Sequence, residues 1–138
     1  MPPDEALRCP CGTGRAYADC CGPLHDGTSR AGTAVELMRS RFSAFACGHA
    51  DYLIHSWHPD TRPAELDLDD TITWRRLQIV DTEAGGPADV TGIVEFRAQY
   101  VQDGRRHILH ERSRFRRVRD GSWRYLDGDV EGGLGGHP

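Results

Sequence analysis

The stretch GIVEFRAQYVQDGRRHILHERSRFRRV, Gly92 to Val118, decides the fold class. Along Gly92–Val101 the side chains alternate, with Val94, Phe96, Ala98 and Tyr100 on one side and Glu95, Arg97 and Gln99 on the other. A period of two marks a strand with one buried face. Asp103-Gly104 is a hairpin turn signal, since both residues tolerate the positive φ that tight turns require. His107–Val118 reads as the returning strand, Asp120-Gly121 as the next turn, and Ser122–Asp127 as the last strand. Upstream, Trp74–Asp81 reads as a further strand, closed by a Gly/Pro loop over Glu83–Asp89. Strands joined by short turns make an antiparallel meander.

The residues before the sheet change period. Thr33 is an N-cap with Glu36 three residues later, a capping-box pattern. Ala34, Leu37, Met38, Phe42 and Phe45 then fall at steps of three and four, one apolar stripe of a helix that Gly48 ends. A second helix is expected from Ala50 to Trp57, where Pro59 stops it. The acidic stretch Thr61–Asp70 has room for a short third helix, and Cys47 is expected to be a buried, inert thiol. Helices followed by a meander give an α+β domain, with helices packed on one face of an antiparallel sheet.

The sharpest chemistry lies upstream, in CPCGTGRAYADCC, Cys9 to Cys21. Two cysteine pairs, Cys9/Cys11 and Cys20/Cys21, flank a turn containing Gly12 and Gly14. A structural zinc takes four thiolates tetrahedrally at about 2.3 Å, and two such pairs supply them. Disulfides are the competing use of these thiols, but they belong to secreted domains and MPPDEALR lacks a signal-peptide core. The expectation is one structural Zn2+ on Cys9, Cys11, Cys20 and Cys21, with His25 the rival fourth ligand. The chain divides into a disordered lead-in (1–8), a metal knuckle (9–25), a polar linker (26–32), the α+β domain (33–128) and a flexible tail (129–138).

Composition narrows the function classes. A chain of 138 residues with 38% hydrophobic residues supports one modest core. A net charge of −4 argues against a general nucleic-acid binder. No apolar run approaches the roughly 20 residues of a membrane span. With thiols committed to metal, the cytoplasm is the expected compartment.

The cysteine stretch resembles the SEC-C motif, the zinc-binding segment at the tail of the SecA translocase, on Cys9, Cys11, Gly12, Gly14, Tyr17, Cys20 and Cys21. SecA typically ends the motif in His, and this chain carries the other common ending, Cys-Cys. CCGPLH (20–25), LMRSRFSAF (37–45), DYL (51–53), WHP (57–59), VEF (94–96), LHERSRF (109–115) and W-x-Y-x-D-G (123–128) make the chain similar to the YchJ family. That resemblance implies a SEC-C segment followed by a nuclear transport factor two-like domain, a cone in which a curved sheet wraps around helices. It implies no activity. SEC-C segments resemble adaptors, and SecA's tail contacts the SecB chaperone and the ribosome.

Strand parity locates the candidate pocket. If the apolar sides face the helices, Leu109, Glu111, Ser113 and Phe115 point inward, as do Trp123, Tyr125 and Asp127. A carboxylate among aromatics needs a partner, and Arg41 on the helix stripe is the expected one, in a buried Arg41–Glu111 pair helped by Ser113 and a tyrosine hydroxyl. The functional alternative is a cone cavity lined by Glu111, Ser113, Tyr100, Tyr125 and Asp127. There Glu111, with Asp127 near the mouth, serves an isomerase- or hydratase-like reaction or holds a small ligand. His110 and Glu111 point opposite ways and form no simple dyad. Outside, Arg105, Arg106, Arg112, Arg114, Arg116, Arg117 and Arg119 make a basic hairpin. It is either a solvated face balanced by acids or a surface for protein, RNA or phosphate. Two readings result: a noncatalytic protein-interaction module, and a small-molecule binder or enzyme. A closed Glu111 favours the first and an open polar pocket the second.

Overall fold

The computed structural model describes residues 8–131; residues 1–7 of the expected lead-in and 132–138 of the expected tail lie outside them, while Arg8, the last residue of that lead-in, is ordered in a bridge to Ala16. A 3-10 turn, Tyr17–Asp19, leads into α1 (Cys21–His25), then α2 (Ala34–Cys47) and α3 (Ala50–His55). Four strands follow: β1 (Ile72–Ala84), β2 (Thr91–Gln102), β3 (Arg105–Arg117) and β4 (Trp123–Glu131). They form one sheet in chain order, every neighbour antiparallel. This is the α+β meander that the alternation around Gly92–Val118 requires.

α2 starts as its cap chemistry dictates, with the Thr33 side chain accepting from Glu36 N–H at 3.1 Å. Its stripe of Ala34, Leu37, Met38 and Phe42 is buried against Leu77, Val94, Phe96, Ala98, Leu109, Phe115, Trp123 and Tyr125. The sheet therefore uses one face for the core, as its period of two demands.

Several expectations change. The acidic stretch 61–70 forms no helix; it runs as extended coil whose acids lie mostly in solvent, with Asp69 turned back to accept from Thr71 N–H at 2.9 Å. α3 ends at His55 rather than Trp57, because Trp57 leaves the helix to make a parallel bridge to Tyr125. Cys47, at the exposed last position of α2, is on the surface and not in the core. Residues 129–131 belong to β4, paired to β3 through His110↔Glu131, so the strand continues past the expected start of the tail.

The linker is pinned near its C-terminal end. Arg30 donates to Ser122 Oγ and to the Asp120 carbonyl, each at 3.0 Å. Trp123 Nε1–H donates to the Gly32 carbonyl at 3.2 Å, and the Arg117 guanidinium lies 4.5 Å over the Trp123 ring. Arg117 also donates to the carbonyls of Pro87, Asp89 and Gly121. One arginine thereby ties the β1–β2 loop to the start of β4.

Candidate metal centre

Cys9, Cys11, Cys20 and Cys21 converge, their Sγ atoms all within 4.8 Å of one another. Thiolates at about 2.3 Å from a tetrahedral zinc stand about 3.8 Å apart, so the quartet has the dimensions of such a cage. Cys11 and Cys20 are 3.5 Å apart, and none of the four is in a disulfide. Gly12 and Gly14 hold φ of 88° and 84°, which a side chain resists, and this lets the loop turn back so that Arg8 bridges Ala16. Cys9, Cys11 and Cys21 are buried, whereas Cys20 stands half-buried beside Thr13 and Arg15. Protons distribute unevenly over thiols this close. Hydrogen bonds from Cys11 and then Cys21 hold the Cys9 thiol far below its usual range, while bonding to Cys11 and Cys9, followed by burial, pushes Cys21 far above. A divalent cation fits this donor set, since it stabilises all four thiolates at once.

The knuckle is not a knob beside an independent domain. It is docked on α2: Cys9 Sγ lies 3.3 Å from Ser43 Oγ, and Arg39 Nη1 donates to the Cys11 carbonyl at 2.7 Å. His25 is the bolt. Its Nε2 is 2.7 Å from the Ser40 carbonyl, which can only accept, so Nε2 carries the proton and Nδ1 accepts from Tyr17 OH at 2.5 Å. Both ring nitrogens are committed, and His25 stands outside the thiol cluster. Burial holds its pKa below the ordinary histidine value. Tyr52 completes the joint, its ring 4.7 Å from that of His25 and its hydroxyl 2.6 Å from Ser40 Oγ. The docking roles of Tyr17 and His25 were absent from the sequence reading. The apposition of Tyr17 and the CCGPLH run to a polar helix face (Arg39, Ser40, Ser43) was the available signal.

Glu111 is buried as parity demands, with no accessible surface. Oε2 accepts from Ser113 Oγ at 2.5 Å and from Tyr125 OH at 3.1 Å. Its carboxylate also lies against the Cα of Gly128: a Cβ there would stand 2.7 Å from Glu111 Cδ and closer still to Oε2. Ser113 is equally buried, so no space for a water molecule borders either side chain. The cone is closed at the position where a reaction would need it open.

Comparison with known proteins matches residues 33–128 to the YchJ middle NTF2-like domain and residues 8–23 to the SEC-C motif. The chain belongs to the YchJ family. A UPF0225 protein of Corynebacterium efficiens is 53% identical over 132 residues, covering 94% of this chain and 98% of its own. One from Streptomyces coelicolor is 54% identical over 121 residues, covering 88% and 94%. The solution structure of a SEC-C motif containing protein from Rhodopseudomonas palustris superposes with a TM-score of 0.77 at 34% identity, over 88% of this chain and 96% of that one. A crystal structure of a SEC-C motif containing protein from Psychrobacter arcticus gives 0.73 at 29% identity, over 91% and 84%.

In this YchJ-family chain the other expected pocket residues separate. Asp127 faces outward, not into the cone. A bulge between Arg114 and Phe115 shifts the register so that Phe115 pairs with Tyr125 but Arg114 with Asp127, and this reverses parity beyond Tyr125. Asp127 accordingly accepts from Arg114 Nε at 2.5 Å on the outer face, and Gly128 takes the inward place. Tyr100 is inward but four residues along β2 from Phe96, the partner of Glu111. It packs on Trp74 and His107 at the far end of the sheet.

Arg41 is buried beside the Tyr125 ring, whose hydroxyl reaches Glu111. It donates to the Leu53 carbonyl at 2.9 Å and Ser56 Oγ at 2.7 Å, with its guanidinium 5.0 Å from the Trp57 ring and 4.6 Å from that of Tyr125. Full burial lowers its pKa to about 10, opposed by Tyr125, Tyr52 and Glu111, so it is still charged at neutral pH. Arg41 and Glu111 act on each other through Tyr125, which each touches.

The middle of the basic hairpin is neutralised by acids. Arg112 meets Asp81, Glu83 and Glu95, Arg114 meets Asp127 and Asp129, and His110 Nε2 sits 2.7 Å from Glu95. Arg105, Arg106, Arg116 and Arg119 remain exposed. No helix among the described residues is long and apolar enough to cross a membrane.

Proposed function

We propose that this chain is a noncatalytic protein-interaction module of the cytoplasm, held in shape by one structural zinc on Cys9, Cys11, Cys20 and Cys21. The observation that carries the reading is the sealed Glu111. Among the described residues it is the one buried acid, and Ser113, Tyr125 and Gly128 occupy its surroundings. A general acid or base must reach a substrate proton, and nothing can approach this one. The adaptor role rests also on the exposed rim of the knuckle, where Thr13, Gly14 and Arg15 surround the half-buried Cys20. That rim offers a protein or a ribosome an exposed turn held rigid by its own hydrogen bonds. The zinc shapes this surface and takes no part in bond-making, since four protein ligands leave no open coordination position.

The test is co-purification from the native cell, followed by rebinding to the purified partner, with the intact chain and with Cys20→Ser. Retention by the intact chain and loss by Cys20→Ser, with the sheet still folded by circular dichroism, supports the reading. Equal retention by both contradicts it.

A further inference from the structure

The outer face of the sheet, turned away from the core, is divided by charge. Toward the β2–β3 turn, strands β1 to β3 present Arg76, Arg97 and Arg106 there with the apolar Val101 and Ile108, and no acid among them. β4 reaches only the edge of this region, where Glu131 pairs with His110. Farther along the strands, Asp81, Glu83, Glu95, Asp127 and Asp129 share two arginines, Arg112 and Arg114. One half of the face is thus basic and the other acidic.

The basic half is concave. A groove of about 770 Å³ runs across β2 from Arg75 of β1 to Arg106 of β3, over Gln99, Val101 and Ile108. Arg75 is the extra residue of a bulge, which sets Arg75 and Arg76 together opposite Gln99. Among the described residues, no carboxylate lies within salt-bridge distance of Arg75, Arg76, Arg97 or Arg106. No acid lines the groove. The acids nearest in sequence, Asp69, Asp70 and Asp103, stand outside it, and Asp69 already accepts from Thr71 and Gln102. Ile108 is 59% exposed in this basic setting, an apolar side chain left uncovered where the chain offers no carboxylate either. Guanidinium forks suit carboxylates, and Val101 with Ile108 suits an aliphatic side chain. A nucleic acid fits less well. Its backbone would run on toward Asp81, Glu83 and Glu95, and the nearby rings of Tyr100 and His107 are already stacked on each other.

We propose that this groove docks a short acidic segment of a partner protein, its carboxylates held by Arg75, Arg76 and Arg106 and an aliphatic side chain seated on Val101 and Ile108. The acidic half of the face limits the segment, because a longer run of acids along the strands would meet like charge. The groove shares no residue with the knuckle rim, so it can fail while the adaptor reading holds, and the reverse.

The probe is a blocked hexapeptide of two leucines between pairs of glutamates, titrated at low salt into the zinc-loaded full chain and followed by two-dimensional NMR. Saturable shifts confined to the amides of 75–76, 99–101 and 106–108 are expected, and added salt should weaken them. Replacing the glutamates by glutamines should weaken binding about tenfold, as several exposed ion pairs are lost together. Replacing the leucines by serines should weaken it about threefold or more. Arg75→Gln and Arg106→Gln, both at exposed positions, should each weaken the glutamate peptide about threefold. Arg119→Gln, at an exposed arginine outside the groove, should leave it unchanged. The proposal is overturned by any of four results: no saturable shift at millimolar peptide, equal binding of the glutamine peptide, an equal loss in Arg119→Gln, or tighter binding of hexauridylate than of the glutamate peptide.

Discussion

At the scale of the residue, the account turns on the contact between Glu111 and Gly128. The carboxylate fills the space a side chain at 128 would take, so glycine there is a packing requirement of a neighbouring strand. Gly128→Ala is expected to cost about 2 kcal/mol or more, the size of an overpacked core site. Urea denaturation measures this, and a wild-type midpoint would show that the carboxylate lies elsewhere. Glu111→Gln puts an amide where the carboxylate accepts from Ser113 and Tyr125 in a fully buried place, which disturbs those bonds at a cost of about 1 to 3 kcal/mol. Its effect should appear in melting and not in turnover; loss of a measured activity with unchanged melting contradicts a closed core. Glu111 itself was legible in the sequence, because strand parity alone assigns its side. Asp127 was not. One extra residue on β4, Leu126 opposite the Arg114/Phe115 step, reverses everything after it on that strand, and a leucine does not mark a bulge.

At the scale of the element, α2 joins both halves of the chain. Its apolar stripe enters the cone, and its other flank receives the knuckle through Arg39, Ser40 and Ser43. The stripe was readable from spacing, as was the Thr33 cap. Thr33→Ala should cost about 1 kcal/mol, checked by denaturant melting. The knuckle-facing flank was not readable, because serines and an arginine on a helix look like a solvated surface until their partners are placed. His25 tests that joint. Its pKa is held below 6.5 by burial, so as pH falls through that value the unfolded chain takes a proton that the folded chain refuses. The stability from a neutral His25 is thus complete above the unfolded pKa and declines below it. Imidazole nitrogen shifts should show the Nε2–H tautomer and a midpoint below 6.5. A midpoint at that ordinary value would mean the ring is free in solvent.

At the scale of the molecule, the order of elements and the sheet topology follow from periodicity, turn pairs and caps. The continuity of knuckle, linker and cone does not, since it depends on contacts such as Trp123 to Gly32 and Arg30 to Ser122 across some ninety residues. Metal removal should therefore be felt beyond the knuckle. Amide exchange is expected to quicken at 9–25 and along the knuckle-facing side of α2 when a chelator is added, while β2 and β3 remain protected. Simultaneous loss of β2–β3 protection would show that the ion supports the whole fold. The central claim is a four-thiolate cage, and zinc-edge X-ray absorption on the purified full chain, with metal content measured in parallel, tests it most directly. The account predicts one zinc per chain with four sulfur neighbours at about 2.3 Å; a sub-stoichiometric metal content, or a shell of three sulfurs and one imidazole nitrogen, would contradict it.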